Sequence, residues 1–127
     1  MKDVNLEKAI HKSRSVLELG DNWDGEGSCG YAEETWKRAT EFLWKMAEVF
    51  YDQERGHTFF PPAINPGPQG SIDLHWDLPK FKLSMNFPAS PAHFPSCRGT
   101  DSHGLEIKRE LDDPEDYVAM ARWMRHA

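Results

Sequence analysis

The sequence predicts an α+β fold, a two-layer sandwich in which an antiparallel sheet of three or more strands packs against helices. Two segments in the first half repeat apolar residues at helical spacing, and a central stretch alternates apolar and polar residues as a strand does. A third helical segment ends the sequence. Because 127 residues, 39% of them hydrophobic, suffice for one core, we expect a single domain over residues 1–127.

Two helices are expected before the strands. Over residues 4–19 the helical spacing joins Leu6, Ile10, Ser13 and Leu17, and Gly20 stands where a left-handed cap would end the helix. The pattern is stronger over residues 31–55, and its stripe consists of Trp36, Ala39, Leu43, Met46 and Phe50. We therefore expect the second helix to form a wall of the core.

The segment between these helices contains four glycines and has the residues of a turn at Asn22-Trp23-Asp24-Gly25. Asn22 and Asp24 are expected to accept hydrogen bonds from nearby amides, Gly25 to adopt a positive φ, and Trp23 to fill the core between the helices. A calcium loop is disfavoured, because the EF-hand spacing would place Gly20 and Tyr31 at ligand positions. We expect no metal site here.

A β-hairpin with one buried face is predicted for the centre of the chain. Residues 59–70 hold four prolines, which favour an extended or turn-rich crossing over a sheet interior. Residues 71–76 and 81–87 then alternate, so that one face carries the apolar residues Ile72, Leu74, Trp76, Phe81, Leu83, Met85 and Phe87.

The last third of the chain predicts a loop, a short strand and a helix. Residues 88–103 contain three prolines and are expected to form a long connection, and residues 104–108 a third strand. Asp113-Pro114-Glu115 is a good helix start, followed on one face by Tyr117, Met120, Ala121 and Met124. The predicted order is α-α-β-β-β-α.

Charge and cysteine content narrow the classes of function. The net charge of −6 disfavours direct binding to nucleic acid or to anionic membranes. The first residues lack the apolar run of a signal peptide, so we expect a cytoplasmic location, and in that setting Cys29 and Cys97 are expected to be free thiols. No sequence pattern indicates a cofactor.

Two arrangements could carry chemistry, although neither allows a catalytic residue to be assigned. His75 lies on the polar face of its predicted strand with Asp73 and Asp77, and could act as a base or a metal ligand. Cys97 precedes Arg98 and could pair with His93 or His103. A solvated strand face and an isolated cysteine are the commoner explanations of these patterns, so an enzyme is the less favoured interpretation.

Part of the sequence resembles a broad group of small bacterial and phage proteins. The resemblance covers about residues 14–87 and rests on the Asn22-Trp23-Asp24-Gly25 turn, followed by a helix, a proline segment and the strand Gly70-x-Ile72-x-Leu74-x-Trp76. It implies a shared fold and carries no assigned activity or catalytic residue.

The leading functional hypothesis is a non-catalytic protein that binds another protein, such as an inhibitor, immunity or antitoxin-like protein. Its candidate contact residues are the aromatic residues Trp44, Phe59, Phe60 and Phe94, together with Arg98. Aromatic residues outside the expected core often mark protein contacts. An aromatic surface patch would favour this hypothesis. Polar groups converging in a concavity would favour the alternative, a small enzyme or a ligand- or metal-binding domain. The oligomeric state is left open.

Overall fold

The alternating segments in the centre of the chain form part of a five-stranded antiparallel sheet. The computed structural model describes residues 4–53 and 59–126. The helices are α1 (Val4–Ser13), α2 (Glu33–Gln53) and α3 (Asp116–His126). The strands are β1 (Ala63–Pro66), β2 (Ile72–Asp77), β3 (Phe81–Phe87), β4 (Ser96–Asp101) and β5 (Glu106–Glu110). Each strand pairs with the next, in the order β1-β2-β3-β4-β5, which confirms the predicted α+β class.

The core lies between the helices and one face of this sheet. All five residues of the predicted α2 stripe are buried, as are all seven apolar residues of the predicted hairpin face. Helix α2 packs against α3 and also contacts β2 and β3. Burying each large apolar side chain stabilises the fold by about 1.5–3 kcal/mol. Of the four residues predicted for one face of α3, Met120, Ala121 and Met124 join the same core, and Tyr117 is partly buried against it.

Helix α1 is shorter than the sequence predicts. Its α-helical part ends at Ser13, and residues Arg14–Glu18 form a tighter 3-10 helix. The buried Ser13 hydroxyl donates to the carbonyl of Ile10 and accepts the indole N–H of Trp36 at 2.8 Å. A serine that bonds its own helix competes with the regular ladder. The end of α1 is thereby fixed to α2.

The turn between α1 and α2 forms as expected, but Trp23 does not fill the core. Asn22 and Asp24 accept hydrogen bonds from the amides of Gly27 and Glu26, and Gly25 has a φ of 76°. Trp23 is 40% exposed, and its indole N–H donates to the carbonyl of Cys29 at 3.1 Å. The polar end of the ring thus closes the loop upon itself, which corrects the predicted role of this tryptophan.

The prediction of a long connection over residues 88–103 was wrong, because residues 96–101 form β4 in the interior of the sheet. The inward positions of β4 are occupied by Cys97 and Gly99 rather than by large apolar residues. At Gly99 a side chain would meet the carbonyl oxygen of Lys82 at 2.8 Å and the ring of Trp123 at 3.1 Å. A glycine is therefore required where a strand pattern would show a large hydrophobe.

The two edge strands were predicted incompletely. The proline segment contains β1, a strand of four residues at one edge, where Pro66 is tolerated since an edge strand need not donate on both sides. Strand β5, at the other edge, begins two residues later than expected.

Helix α3 begins at Asp116, and the Asp113 carboxylate accepts the amide of Glu115 just before it. No helix among the described residues is long and apolar enough to cross a membrane.

Candidate binding surface on the open sheet face

The sheet face directed away from the helices, here called the open face, carries three rows of side chains. Successive residues of a strand point to opposite faces, so the strand register decides which side chains lie in one row. The first row is Asn65, Asp73, Asn86, Ser96 and Glu110. The second is Ala63, His75, Ser84, Arg98 and Lys108. The third is Asp77, Lys82, Thr100 and Glu106.

The first two rows line an open concavity of about 820 Å³. With neighbouring strands about 4.8 Å apart, five strands make this surface roughly 19 Å wide. Ala63 lies outside this lining, which includes the polar side chains of both rows and also atoms of Leu74, Met85, Cys97 and Arg109. The structure therefore presents polar side chains in a broad concavity, the arrangement expected of a ligand-binding domain or an enzyme, and it lacks, among these rows, the aromatic patch expected of a protein-binding chain.

On β2 and β3 the polar side chains of the open face bond to their direct cross-strand neighbours. The Asn86 amide donates to the Asp73 carboxylate at 2.7 Å, and the ring nitrogen Nδ1 of His75 is 2.7 Å from the Ser84 hydroxyl. Lys82 lies 3.9 Å from the Asp77 carboxylate. Asp73, His75 and Asp77 do share a polar face as predicted, but each contacts β3 and neither carboxylate bonds to the imidazole.

On β4 and β5 the open face is different, because its side chains have no bonding partner among the described residues. These six residues, here called the β4–β5 surface, are Ser96, Arg98, Thr100, Glu106, Lys108 and Glu110. Arg98 and Lys108 occupy directly opposite positions, and no described carboxylate lies within 4 Å of either. Like charges directly opposite on neighbouring strands destabilise a sheet. Exposure to solvent and the carboxylates of Glu106 and Glu110, two positions from Lys108 on the same face, moderate this repulsion.

Arg98 was identified from the sequence as a candidate contact residue, whereas Lys108 was not. The signal that could have found Lys108 is the alternation of Ser96, Arg98 and Thr100 with Cys97 and Gly99. That alternation predicts β4, and a hairpin from β4 would then have placed Lys108 opposite Arg98. Gly99, at an inward position, made the segment look unlike a strand with one apolar face.

The second chemical arrangement, Cys97 with a histidine, is not assembled. Cys97 is buried on the helix-facing side of β4, with its Sγ 3.8 Å from the sulfur of Met120. Burial raises the pKa of the Cys97 thiol, which disfavours the reactive thiolate. His93 precedes β4 and His103 follows it, and both are exposed. The two histidines therefore lie beyond opposite ends of the strand whose interior face carries the thiol.

The four aromatic candidate residues do not form one surface. Phe59 is 1% exposed and belongs to the core, which corrects its assignment as a contact residue. Trp44 is half-buried and packs against the core. Phe60 and Phe94 are 52% and 58% exposed, but Phe60 precedes β1 and Phe94 precedes β4. Of the residues predicted to contact a partner, Arg98 alone lies on the open face.

The Asn22–Gly25 turn is an ordered loop apart from this surface. The Ser28 hydroxyl and the Glu26 amide bond to the Asp24 carboxylate and lower the pKa of Asp24. The Tyr31 ring lies 6.2 Å from that of Trp23, and its hydroxyl donates to the carbonyl of Gly67. Desolvation raises the pKa of Tyr31. These contacts fasten the loop to the segment before β2.

Comparison of the chain with protein families, with curated proteins and with solved structures gave no match. Within residues 4–53 and 59–126 no group of three or more His, Cys, Asp or Glu side chains is placed to hold a metal ion.

Proposed function

We propose that this protein is a non-catalytic binding protein that recognises another protein through the β4–β5 surface. The observation that carries the proposal is the juxtaposition of Arg98 and Lys108 without a carboxylate partner. Two exposed cations held directly opposite each other support a role in contact with an external anionic group.

The neighbouring half of the open face supports binding rather than catalysis. His75 shares a hydrogen bond with Ser84, and the two flanking aspartates interact with Asn86 and Lys82, so the imidazole has no carboxylate to orient it. The five strands of the open face span about 19 Å, which is wide enough for a segment of a partner protein. The proposed contact surface is therefore polar, and it replaces the aromatic residues that the sequence indicated.

Charge favours a protein over a nucleic acid as the partner. The chain carries a net charge of −6, and the two cations of the β4–β5 surface are flanked by Glu106 and Glu110. A continuous phosphate backbone would meet these carboxylates as well as the cations. We place the protein in the cytoplasm, in the class of inhibitor, immunity or antitoxin-like proteins. The resemblance of the Asn22–Gly25 turn and the Trp76 strand supports a bacterial or phage origin.

The test is affinity capture from an extract of the source cells, with three forms of the purified protein. The first is the unchanged chain, and the second carries Arg98→Gln with Lys108→Gln. The third, a matched control, carries Lys82→Gln, which removes a cation from the same face where that cation is paired with Asp77. Circular dichroism establishes that all three are folded.

The proposal requires one protein that the unchanged chain and the Lys82 control retain in a stoichiometric amount, and that the double variant releases. Capture that is equally efficient with the double variant would refute it, as would the absence of any stoichiometric protein with the unchanged chain.

A further inference from the structure

We infer that the partner adds an extended segment to the outer edge of β5. Every second side chain of that segment is charged, in the order cation, anion, cation. This inference rests on the proposed function and specifies how the partner would be held. Strand addition to an exposed sheet edge supplies main-chain hydrogen bonds for affinity and alternate side-chain contacts for specificity.

The two edges of the sheet differ in how accessible they are. Strand β1 contacts α1 and ends in Pro66, which has no amide hydrogen to donate. Strand β5 is exposed at four of its five residues, and its outer edge pairs with no other described strand. The outward amide and carbonyl groups of β5 are thus the ones that can form hydrogen bonds with an added strand.

The open-face charges of β5 define the segment that would fit. Along this strand Glu106, Lys108 and Glu110 point to the open face in the order negative, positive, negative. A segment of the pattern Lys-x-Glu-x-Lys would place an opposite charge beside each of them. Because the order reads the same in both directions, parallel and antiparallel segments are equally complementary.

The same pattern disfavours a second copy of this chain as the occupant. Two β5 strands paired antiparallel along their full length would set Glu106 against Glu110 and Lys108 against Lys108. The edge therefore repels its own copy in that register and attracts a strand of complementary charge. This is why we assign the edge to a different protein.

The probes are short capped peptides added to the full-length, isotope-labelled protein and followed by NMR. The first is acetyl-Thr-Lys-Val-Glu-Val-Lys-Thr-amide, and its matched control, acetyl-Thr-Glu-Val-Lys-Val-Glu-Thr-amide, has the charges inverted. We expect the first to shift the amide signals of residues 106–110. We expect the second to bind at least about tenfold more weakly, because three attractive cross-strand pairs become three repulsive ones.

Two further peptides test the main-chain contact. One is N-methylated at its Lys and Glu residues and the other at its Val residues, so each lacks the amide hydrogens of one edge. A strand uses alternate amides toward each neighbour, so one version should lose binding and the other should retain it. Equal binding of the two versions would overturn strand addition.

A charge-swapped protein tests the specificity. In the variant Glu106→Lys, Lys108→Glu, Glu110→Lys all three changed side chains are exposed, and we expect its peptide preference to reverse by at least about tenfold. An unchanged preference would overturn the charge pattern. Sedimentation of the unchanged chain as a dimer that the swap dissolves would assign the edge to a second copy instead.

The failure of this inference and the failure of the proposed function are distinguishable. A captured partner that the charge-swapped protein retains, and that the Arg98 and Lys108 double variant releases, overturns the inference alone. A captured partner that every variant retains overturns the proposed function itself.

Discussion

Arg109 reaches from the helix-facing side of β5 to the carboxylate of Asp116, the first residue of α3. The carboxylate is 2% exposed, and its other oxygen accepts the amide of Asp113 at 2.8 Å. The ion pair therefore joins the edge strand to the helix at the point where α3 begins. It lies on the opposite face of β5 from Lys108, so binding and stability involve different side chains of one strand.

The variant Arg109→Gln should lower the free energy of unfolding by about 1–3 kcal/mol, because it leaves a buried carboxylate with one partner fewer. The Arg109 side chain is 38% exposed, which keeps the loss below that of a fully buried pair. Urea unfolding measures it. The control Lys108→Gln, exposed on the same strand, should change stability by less than about 0.5 kcal/mol. Equal effects of the two variants would contradict this prediction.

Replacing Gly99 with valine should destabilise the protein by about 1–3 kcal/mol through overpacking. The new Cβ would lie within 3 Å of the Lys82 carbonyl and of a Leu83 methyl group, and close to the Trp123 ring. Thermal unfolding followed by tryptophan fluorescence measures the loss. Thr100→Val, on the open face next to Gly99, is the matched change and should leave the core intact.

Acidification should loosen the Asn22–Gly25 turn. The pKa of Asp24 is lowered by the Ser28 hydroxyl and the Glu26 amide from its ordinary value of 3.8. A carboxyl whose pKa is lower in the folded state stabilises the loop above its ordinary pKa, and this contribution is lost as the pH falls below 3.8 through the folded value. The indole N–H signal of Trp23 should report the change by NMR. In Asp24→Asn that pH dependence should be absent, and its persistence would assign the transition to another group.

The two cysteines should react with iodoacetamide at very different rates. Cys29 is exposed, whereas Cys97 is buried and has a raised pKa, so its thiolate is both scarce and shielded. Mass spectrometry at neutral pH should find one label, at Cys29, with a second added only in denaturant. Rapid double labelling of the native protein would mean that β4 is far more accessible than its packing implies.

The sequence predicted the elements that bury large side chains and missed those that do not. Helix α2 and strands β2 and β3 carry regular apolar stripes, and these were confirmed. Strand β4 was missed because Gly99 stands at an inward position facing Trp123, and β1 because Pro66 is typical of a loop. The prediction for Trp23 was wrong because its indole N–H donates to a carbonyl within its own loop. The spacing of apolar residues does not indicate such a local hydrogen bond.

The candidate surface was predictable in part. Period-two alternation correctly placed Asp73, His75 and Asp77 on one face. Their partners on β3 follow from the hairpin register, which depends on the turn before Phe81, where the Leu78 amide bonds to the Phe81 carbonyl. The pairing of Arg98 with Lys108 required both the existence of β4 and its register with β5. Because β4 was not predicted, the position of Lys108 opposite Arg98 could not be predicted either.

The strictly sequential pairing of the strands also has a kinetic consequence. Every pair in the sheet joins neighbours along the chain, and the longest connection between paired strands spans residues 88–95. Closing such short loops costs little chain entropy, so the contacts of the sheet are local for a β structure. We expect refolding on the millisecond timescale, faster than in sandwiches whose partner strands are distant in sequence, and stopped-flow measurement of the total tryptophan fluorescence would follow it.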